Sequence, residues 1–305
     1  MTIEEFSTEL INYGALYHMQ DFYLMPRSDH YEYYFRKGPF YHNQGCVSVE
    51  VGVQLISRFK YLGQMDVSER RKAQLGAITY SLPKTEQRLR LSTVGDYQQR
   101  ESLVVRFLHS FGTSKEHFLL PEQLTTIREA CHSKGLYLFC GPVGSGKTTL
   151  MYKLAKESSG QVLTIEDPVE IEEPGFLQLQ VNEKIHQTYE ELIKLSLRHH
   201  PDVLIIGEIR DQKTIHGAIR AALTGHCVFA TLHASSLEAA EDRAIELGGD
   251  KHLLNDCLRG VIYQELLPYQ EKEVGLLMSY SFYDDEPLRF TWQEGLACIE
   301  KRKQN

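Results

Sequence analysis

The segment at residues 141–148 constrains this chain more than any other, because it matches the pattern G-x-x-x-x-G-K-[ST]. Glycines at these spacings let the backbone curl until its N–H groups surround phosphate oxygens. Lys147 supplies a compact cation, and the Thr148 hydroxyl is a hard oxygen ligand suited to Mg²⁺. The sequence therefore predicts that ATP and Mg²⁺ bind at a site that we name the P-loop segment: Gly141, Pro142, Val143, Gly144, Ser145, Gly146, Lys147, Thr148 and Thr149.

Beyond residue 120, short apolar runs alternate with amphipathic stretches. The apolar runs predict strands at Leu136–Cys140, Val162–Glu166, Val203–Ile206 and Cys227–Leu232. Helices are predicted at about Thr148–Glu157, at Tyr189–His199, around Ile215–Ala222 and at Leu237–Leu247. This alternation indicates an α/β domain with a mostly parallel sheet and helices on both faces, whose ligands bind at the carboxyl ends of the strands.

Before residue 110, stretches rich in aromatic and β-branched residues dominate the sequence. They predict strands at Tyr31–Phe35, Cys46–Val51, Gly76–Leu82, Arg88–Ser92 and Leu103–Leu108. Apolar residues at helical spacing between 55 and 62 predict a helix among them. We therefore predict a smaller α+β N-terminal domain at residues 1–110, a linker at 111–120 and the P-loop domain at 121–305.

The composition excludes several classes of protein. A length of 305 residues predicts two globular domains. With 42% hydrophobic and 24% charged residues, the chain is not expected to be globally disordered. A net charge of −8 disfavours a protein that coats nucleic acid or anionic membrane through its overall field. The six cysteines form no C-x-x-C pair, which argues against a zinc ribbon. Since the N-terminus does not resemble a signal peptide and the apolar runs are short, we expect a cytoplasmic protein.

Acidic residues follow two of the predicted strands. Glu166 and Glu170 belong to the segment 165–170, where a carboxylate could orient or deprotonate an attacking water or hold a water of Mg²⁺. The segment 203–211 is typical of a Walker B motif, although Gly207 takes the usual aspartate position and Glu208 brings the charge one residue later. Metal support and water activation are therefore expected to be divided between Glu208 and the earlier acids.

His233 follows the strand predicted at Cys227–Leu232. By strand polarity it lies at the carboxyl end, which is the phosphate side of a parallel sheet. We expect this imidazole to sense the γ-phosphate.

The order of these motifs resembles the secretion and type IV pilus ATPase superfamily, which names them Walker A, Asp box, Walker B and His box. The residues that carry the resemblance are GPVGSGKTT, TIEDPVEI, QLQVN, LRHHPDVLIIGEIRD and TGHCVFATLHASS, with RLRLS at 88–92, QRESLVVRFL at 99–108 and RGVIYQELLPY at 259–269. The resemblance implies a homohexameric ring, a RecA-like C-terminal domain and a smaller N-terminal domain, with ATP bound between them.

The resemblance also implies roles for particular residues. Glu170 matches the Asp-box glutamate that acts as general base, Glu208 the Walker B glutamate, and His233 the His-box histidine. Arg90 and Arg106 match N-terminal-domain arginines that reach the triphosphate, and an arginine finger of this kind is typically worth ~10³–10⁵ in rate.

Within the superfamily, the short chain resembles the competence-pilus branch of Gram-positive bacteria. The tetracysteine zinc insert of extension and secretion ATPases and the AIRNLI motif of retraction ATPases are not found in the sequence. This branch implies a motor that assembles a competence (type IV-like) pilus for DNA uptake. Its partners would be an integral-membrane platform protein and, indirectly, pilins. No direct contact with nucleic acid is implied, and the motor would lie at the inner face of the membrane through its partner alone.

Other functions fit part of the sequence. A pilus retraction motor or a type II secretion ATPase would use the same chemistry. A nucleotide-gated scaffold with little turnover belongs to another class, and the full set of acids argues against it. A P-loop kinase is disfavoured because no lid for an acceptor substrate is evident, and a DNA translocase is disfavoured by the acidic charge balance.

Overall fold

A computed structural model describes residues 2–82, 86–109, 117–158, 160–270, 273–284 and 286–304. The chain forms two compact units, Met1–Ser114 and Lys115–Asn305. Of the linker predicted at 111–120, residues 111–116 lie outside the described residues. The remainder belongs to the packing of the second unit, since Phe118 forms a parallel bridge with Leu276 and Leu120 is buried.

The first unit, in its described residues, contains two helices and an antiparallel sheet of six strands in the order β3-β2-β1-β6-β5-β4. The elements are α1 (Ile3–Leu16), β1 (Asp21–Pro26), β2 (His30–Lys37), β3 (Phe40–Ser48), α2 (Val49–Leu62), β4 (Gln74–Ser81), β5 (Glu86–Gly95) and β6 (Glu101–Leu108). Leu10 and Ile11 of α1 and Leu55 of α2 share one hydrophobic cluster with alternate residues of the strands. Both helices therefore pack on the same face of the sheet.

The strand predicted at Cys46–Val51 is wrong in its second half. Strand β3 ends at Ser48, and α2 begins at Val49. The Ser48 hydroxyl accepts a hydrogen bond from the backbone N–H of Val51 at 3.3 Å, which caps the helix. This cap and the buried apolar face of the following turns outweigh the strand preference of the β-branched residues.

A buried ion pair joins α2 to β6. Lys60 is 1% exposed, and its Nζ donates to Glu101 Oε1 at 2.8 Å and to the carbonyl of Glu69 at 2.6 Å. The hydroxyl of Tyr31 donates to the Glu101 carbonyl at 3.0 Å. Each charge is therefore compensated inside the first unit, and removal of one partner would leave the other uncompensated.

The second unit contains a sheet of eight strands in its described residues, in the order β14-β13-β12-β7-β11-β10-β8-β9. Its elements are α3 (Pro121–Ala130), β7 (Gly135–Cys140), α4 (Lys147–Lys156), β8 (Val162–Glu166), β9 (Leu177–Gln180), α5 (Tyr189–Ser196), β10 (Val203–Ile206), α6 (Gln212–Leu223), β11 (Cys227–Leu232), α7 (Leu237–Glu246), α8 (Lys251–Cys257), β12 (Leu258–Gln270), β13 (Glu273–Phe282), β14 (Leu288–Phe290) and α9 (Trp292–Gln304). Within the described residues, every helix falls short of the length and apolar character that a membrane span requires.

In the order of the sheet, the six strands from β12 to β9 pair in parallel. Strands β13 and β14 extend the sheet beyond β12 through antiparallel pairing. The predicted strands β7, β8, β10 and β11 form its centre. Ile206 pairs with Ile165 on one side and with Ala230 on the other, and Leu232 pairs with Cys140. The residues that follow these strands therefore come together at one edge of the sheet.

Helices pack on both faces of this sheet. Helices α5 to α8 share a cluster with one set of alternating strand residues, which includes Leu138, Ile206 and Ala230. Helix α4 packs on β7 and β11, and its buried residues Met151 and Tyr152 are not part of that cluster. Because successive strand residues point to opposite faces, α4 covers the other side. The observed fold is thus a mixed α/β fold with a mostly parallel second sheet.

We expect the variant Lys60→Met to destabilise the first unit by about 3–5 kcal/mol, because Glu101 would remain buried without its cation. Hydrogen exchange of the α2 and β6 amides in the full chain measures this loss. The double variant Lys60→Met/Glu101→Leu should recover most of it. Arg27→Met removes an exposed partner of Glu32 and serves as the control, with a cost below about 1 kcal/mol. Unchanged exchange in Lys60→Met would contradict the prediction.

Candidate nucleotide site

The P-loop segment connects the end of β7 to the start of α4. Gly141, Gly144 and Gly146 have φ values of 136°, 78° and 87°, which favour glycine. Gly146 is the N-cap of α4 in the left-handed conformation. The first N–H groups of a helix lack partners within that helix, so this end of α4 suits an anion.

Strand β12 packs against the P-loop segment through Gln264. Gln264 is fully buried, and its Nε2 donates to the carbonyl of Ser145 at 2.7 Å. A Cβ on Gly141 would lie 2.1 Å from the Gln264 carbonyl oxygen, so the two backbones touch. Gln264 was not among the predicted site residues, although it stands out as a glutamine inside the apolar run of the segment 259–269.

Lys147 is held against its own loop. Its Nζ donates to the carbonyls of Gly141 at 2.9 Å and Pro142 at 2.8 Å. Burial lowers the pKa of Lys147, while the nearby carboxylates of Glu208 and Glu170 act in the opposite direction. The structure therefore brings the predicted cation and these two predicted acids into one electrostatic environment.

Glu208 follows β10 and is held on both oxygens. His233 Nε2 lies 3.2 Å from Oε1, and Arg210 contacts Oε2 through Nε at 2.7 Å and Nη2 at 2.6 Å. The contact with Glu208 raises the pKa of Arg210. Arg210 also approaches Asp167 at 3.9 Å. Glu208 and His233 were predicted as site residues, but Arg210 was not. Its sequence signal is its position as a cation two residues after Glu208.

Glu166 ends β8 and is 4% exposed. Its Oε1 accepts hydrogen bonds from the Tyr152 hydroxyl at 2.5 Å and from the Thr164 hydroxyl at 2.6 Å. Burial raises the pKa of this carboxyl. Glu166 is thus engaged in the interior of the domain, between α4 and the sheet.

Glu170 lies on the connection from β8 to β9, residues 167–176, which we name the Glu170 loop. The residue is half-buried. The Val169 N–H donates to Gln180 Oε1 at 3.2 Å, and the peptide bond between Asp167 and Pro168 is cis. This loop begins at the same sheet edge as the P-loop segment.

An open cavity of about 480 Å³ adjoins the P-loop segment. Gly141 and Pro142 line it on one side, His233 on another, and Tyr263 and Glu265 of β12 on a third. The Tyr263 hydroxyl donates to Glu265 Oε2 at 3.0 Å. His233 is therefore accessible from the cavity that borders the loop.

Arg90 and Arg106 belong to the first unit, where they are paired across β5 and β6. Arg106 Nε donates to Asp21 Oδ1 at 2.9 Å, and Asp21 is 2% exposed. Leu89 and Leu91, which flank Arg90 on β5, are buried. The two arginines therefore share the sheet face opposite the hydrophobic cluster.

The residues of the second unit fit a Mg²⁺–triphosphate. The glycines place no Cβ in the loop, Lys147 supplies positive charge, and α4 contributes its N-terminus. The Ser145 hydroxyl and Gln264 Oε1 are buried beside the loop without a hydrogen-bond partner among the described residues. Thr148 and Glu208 are the oxygen donors that suit Mg²⁺, which is commonly held by one or two carboxylates together with phosphates and water.

Comparison with known proteins identifies the class. The sequence matches the family described as "Type II/IV secretion system protein" over residues 1–303. Competence protein ComGA of Streptococcus pneumoniae is 46% identical over 267 residues, which cover 87% of this chain and 85% of that protein. The ATPase DotB of Legionella pneumophila superposes with a TM-score of 0.73 at 20% identity, covering 97% of this chain and 83% of that chain. The pilus retraction motor PilT, solved with bound ADP, gives a TM-score of 0.63 at 23% identity, covering 97% and 87%.

The family match and the P-loop segment together identify the protein as an ATPase of the kind that serves secretion and pilus machines. The chain belongs to the type II/IV secretion system protein family, which confirms the resemblance found in the sequence. The two solved structures, both below 25% identity, support the fold alone.

We expect Gly141→Ala to weaken ATP binding by about tenfold or more, because strain of 1–3 kcal/mol is typical of such backbone positions. A new Cβ would collide with the Gln264 carbonyl and would require a φ near 136°. Titration calorimetry with an ATP analogue measures the change. Gly175→Ala is a matched control, since its Cβ would meet Glu173 at an ordinary 3.6 Å. Equal affinities for the two variants would contradict the prediction.

Proposed function

We propose that this chain is a homohexameric motor that hydrolyses ATP to assemble a competence (type IV-like) pilus for DNA uptake. The observation that carries the chemistry is the edge of the second sheet at which the P-loop segment, the Glu170 loop and Glu208 follow neighbouring parallel strands. The observation that carries the biological role is the 46% identity to a competence protein across most of both chains.

We propose that the second unit is a RecA-like P-loop domain, which the sequence predicts at 121–305 and to which the packing of Phe118 and Leu120 adds residues 117–120. The N-terminal domain is proposed at 1–110, and the predicted linker at 111–120 is thereby shortened. The P-loop segment, residues 141–149, binds the phosphates of ATP through its N–H groups and Lys147. Thr148 and Glu208 would hold Mg²⁺, which neutralises charge on the phosphates.

In this proposal, Glu170 is the general base. Its carboxylate takes a proton from the attacking water as the water oxygen bonds to the γ-phosphorus and the bond to the β-phosphate oxygen breaks. We assign this step to Glu170 and not to Glu166, because Glu166 already accepts hydrogen bonds from Tyr152 and Thr164 in the interior. We propose that Glu166 supports catalysis indirectly, through its hydrogen bonds with Tyr152 and Thr164.

The remaining site residues respond to charge on the phosphates. His233 and Arg210 hold Glu208, so His233 is suited to report the γ-phosphate to that carboxylate. Arg90 and Arg106 lie side by side at paired positions of one sheet face, and we propose that they reach a triphosphate together. Arginine fingers act by stabilising charge in the transition state.

We propose an integral-membrane platform protein as the direct partner, with pilins moved indirectly. The ring then lies in the cytoplasm at the inner face of the cell membrane and contacts the membrane only through this partner. No direct contact with nucleic acid is part of the proposal.

We expect Glu170→Gln to bind ATP with unchanged affinity and to lose about 10²–10⁴ in kcat, as is typical when a general base is removed. Phosphate release by the purified protein, with its size determined by gel filtration with and without an ATP analogue, measures the effect. Glu172→Gln changes an exposed carboxylate in the same loop and should leave kcat within about twofold. Wild-type turnover by Glu170→Gln would show that Glu170 is not the base.

We expect Lys147→Ala to abolish both ATP turnover and transformation, because the phosphates lose their cation. DNA uptake by a strain that carries the substitution measures the biological effect. Lys213→Ala, which changes a largely exposed cation on α6, is the control. Normal uptake together with absent turnover would favour a nucleotide-gated scaffold over a motor.

A further inference from the structure

Gln178 holds the Glu170 loop at two points. Its Oε1 accepts from the backbone N–H of Glu173 at 2.9 Å, and its Nε2 donates to the carbonyl of Ile171 at 2.8 Å. Ile171 directly follows Glu170 in the chain, and Glu173 directly follows Glu172. The Gln178 amide thus fixes the backbone after the proposed base, while Gln180 accepts from the N–H of Val169 before it.

The same amide reaches the helix that begins at Lys147. Gln178 Nε2 also donates to the hydroxyl of Tyr152 at 2.8 Å, and Tyr152 lies on α4. Tyr152 is fully buried, and its ring centroid lies 5.2 Å from that of Phe176, at the far end of the Glu170 loop. Its hydroxyl donates its proton to Glu166, so its oxygen is left to accept from Gln178.

A second contact joins α4 to the loop. Lys156 Nζ donates to Glu173 Oε2 at 2.7 Å, and the Glu173 side chain is 11% exposed. The loop is therefore tied to α4 through Gln178 at Ile171 and through Lys156 at Glu173. Both connections lead to the helix whose first residue is Lys147.

We propose that Gln178 is a positioning residue that sets the distance between Glu170 and the phosphates by fixing the Glu170 loop to α4. This inference rests on the proposed role of Glu170 as general base. It also gives a function to the first glutamine of the QLQVN motif, which no step of the reaction uses. A primary amide is required, because only a group with an acceptor and two donor hydrogens makes all three contacts.

Displacement of a reacting group by about 1 Å costs about 10²-fold in rate. In Gln178→Met, a side chain of similar length keeps the packing but loses the three hydrogen bonds. We expect kcat to fall about 10- to 100-fold while the Kd of an ATP analogue stays within about twofold, because the P-loop segment is untouched. Gln187→Met is the matched control and should keep wild-type kcat, since the hydrogen bonds of Gln187 with Asn182 are made by its backbone.

Tyr152→Phe provides a second variant that keeps the ring against Phe176 and removes only the hydroxyl. We expect kcat to fall in the same direction with unchanged nucleotide affinity. This variant tests the connection to α4 even if Gln178→Met does not fold, which circular dichroism would reveal. Because the same hydroxyl donates to Glu166, Thr164→Val, which removes the other donor to Glu166, is its control and should lower kcat less. Equal losses in the two variants would assign the effect to Glu166 and not to the connection.

A double-mutant cycle distinguishes positioning from a general structural role. If Gln178 acts through Glu170, then Gln178→Met should cause no further loss of kcat in the Glu170→Gln background. An additive loss, or a Kd that rises along with the fall in kcat, would overturn the positioning role while leaving Glu170 as the base. Wild-type turnover by Glu170→Gln alone would instead overturn the proposed base, and the positioning role with it.

Discussion

The common register of β8, β10 and β11 is the constraint on which the site depends. Because Ile206 pairs with both Ile165 and Ala230, the chain leaves these strands at the same level. The Glu170 loop, Glu208 and His233 therefore emerge together, and the P-loop segment follows β7 at the same edge. A shift of one residue in any of these strands would turn its buried side chains to the wrong face, so packing of the core and geometry of the site are enforced by the same pairing.

Electrostatics at this edge are arranged around one partly desolvated cation. Burial disfavours the charged form of Lys147, and the carbonyls of Gly141 and Pro142 together with two carboxylates favour it. The ammonium is thus fixed beside the backbone of its own loop. Arg210 plays the corresponding part for Glu208, whose Oε2 it contacts through two nitrogen atoms.

The parallel core could be predicted from the sequence, as could the position of the P-loop segment, Glu208 and His233 at one sheet edge. Their signals are local: apolar runs, glycine spacing and residues that follow strand ends. Antiparallel strands β13 and β14 were missed, since their position depends on pairing with β12 and not on a local pattern. Gln264, Tyr152 and Gln178 were missed for a related reason. Their roles depend on contacts between different elements, which a local pattern does not show: Gln264 of β12 contacts the P-loop segment, and Gln178 of β9 contacts Tyr152 of α4. Helix α1 was also missed, although it carries a local signal, the capping box between Thr2 and Glu5.

Strand β12 stands where the parallel part of the sheet meets the antiparallel part, with β7 on one side and β13 on the other. A chain truncated before residue 258 would convert β7 into an edge strand with unpaired amides and carbonyls. It would also remove Gln264, whose backbone and side chain both pack against the P-loop segment. The region after α8 is therefore an integral wall of the nucleotide site, and a minimal catalytic fragment has to retain it.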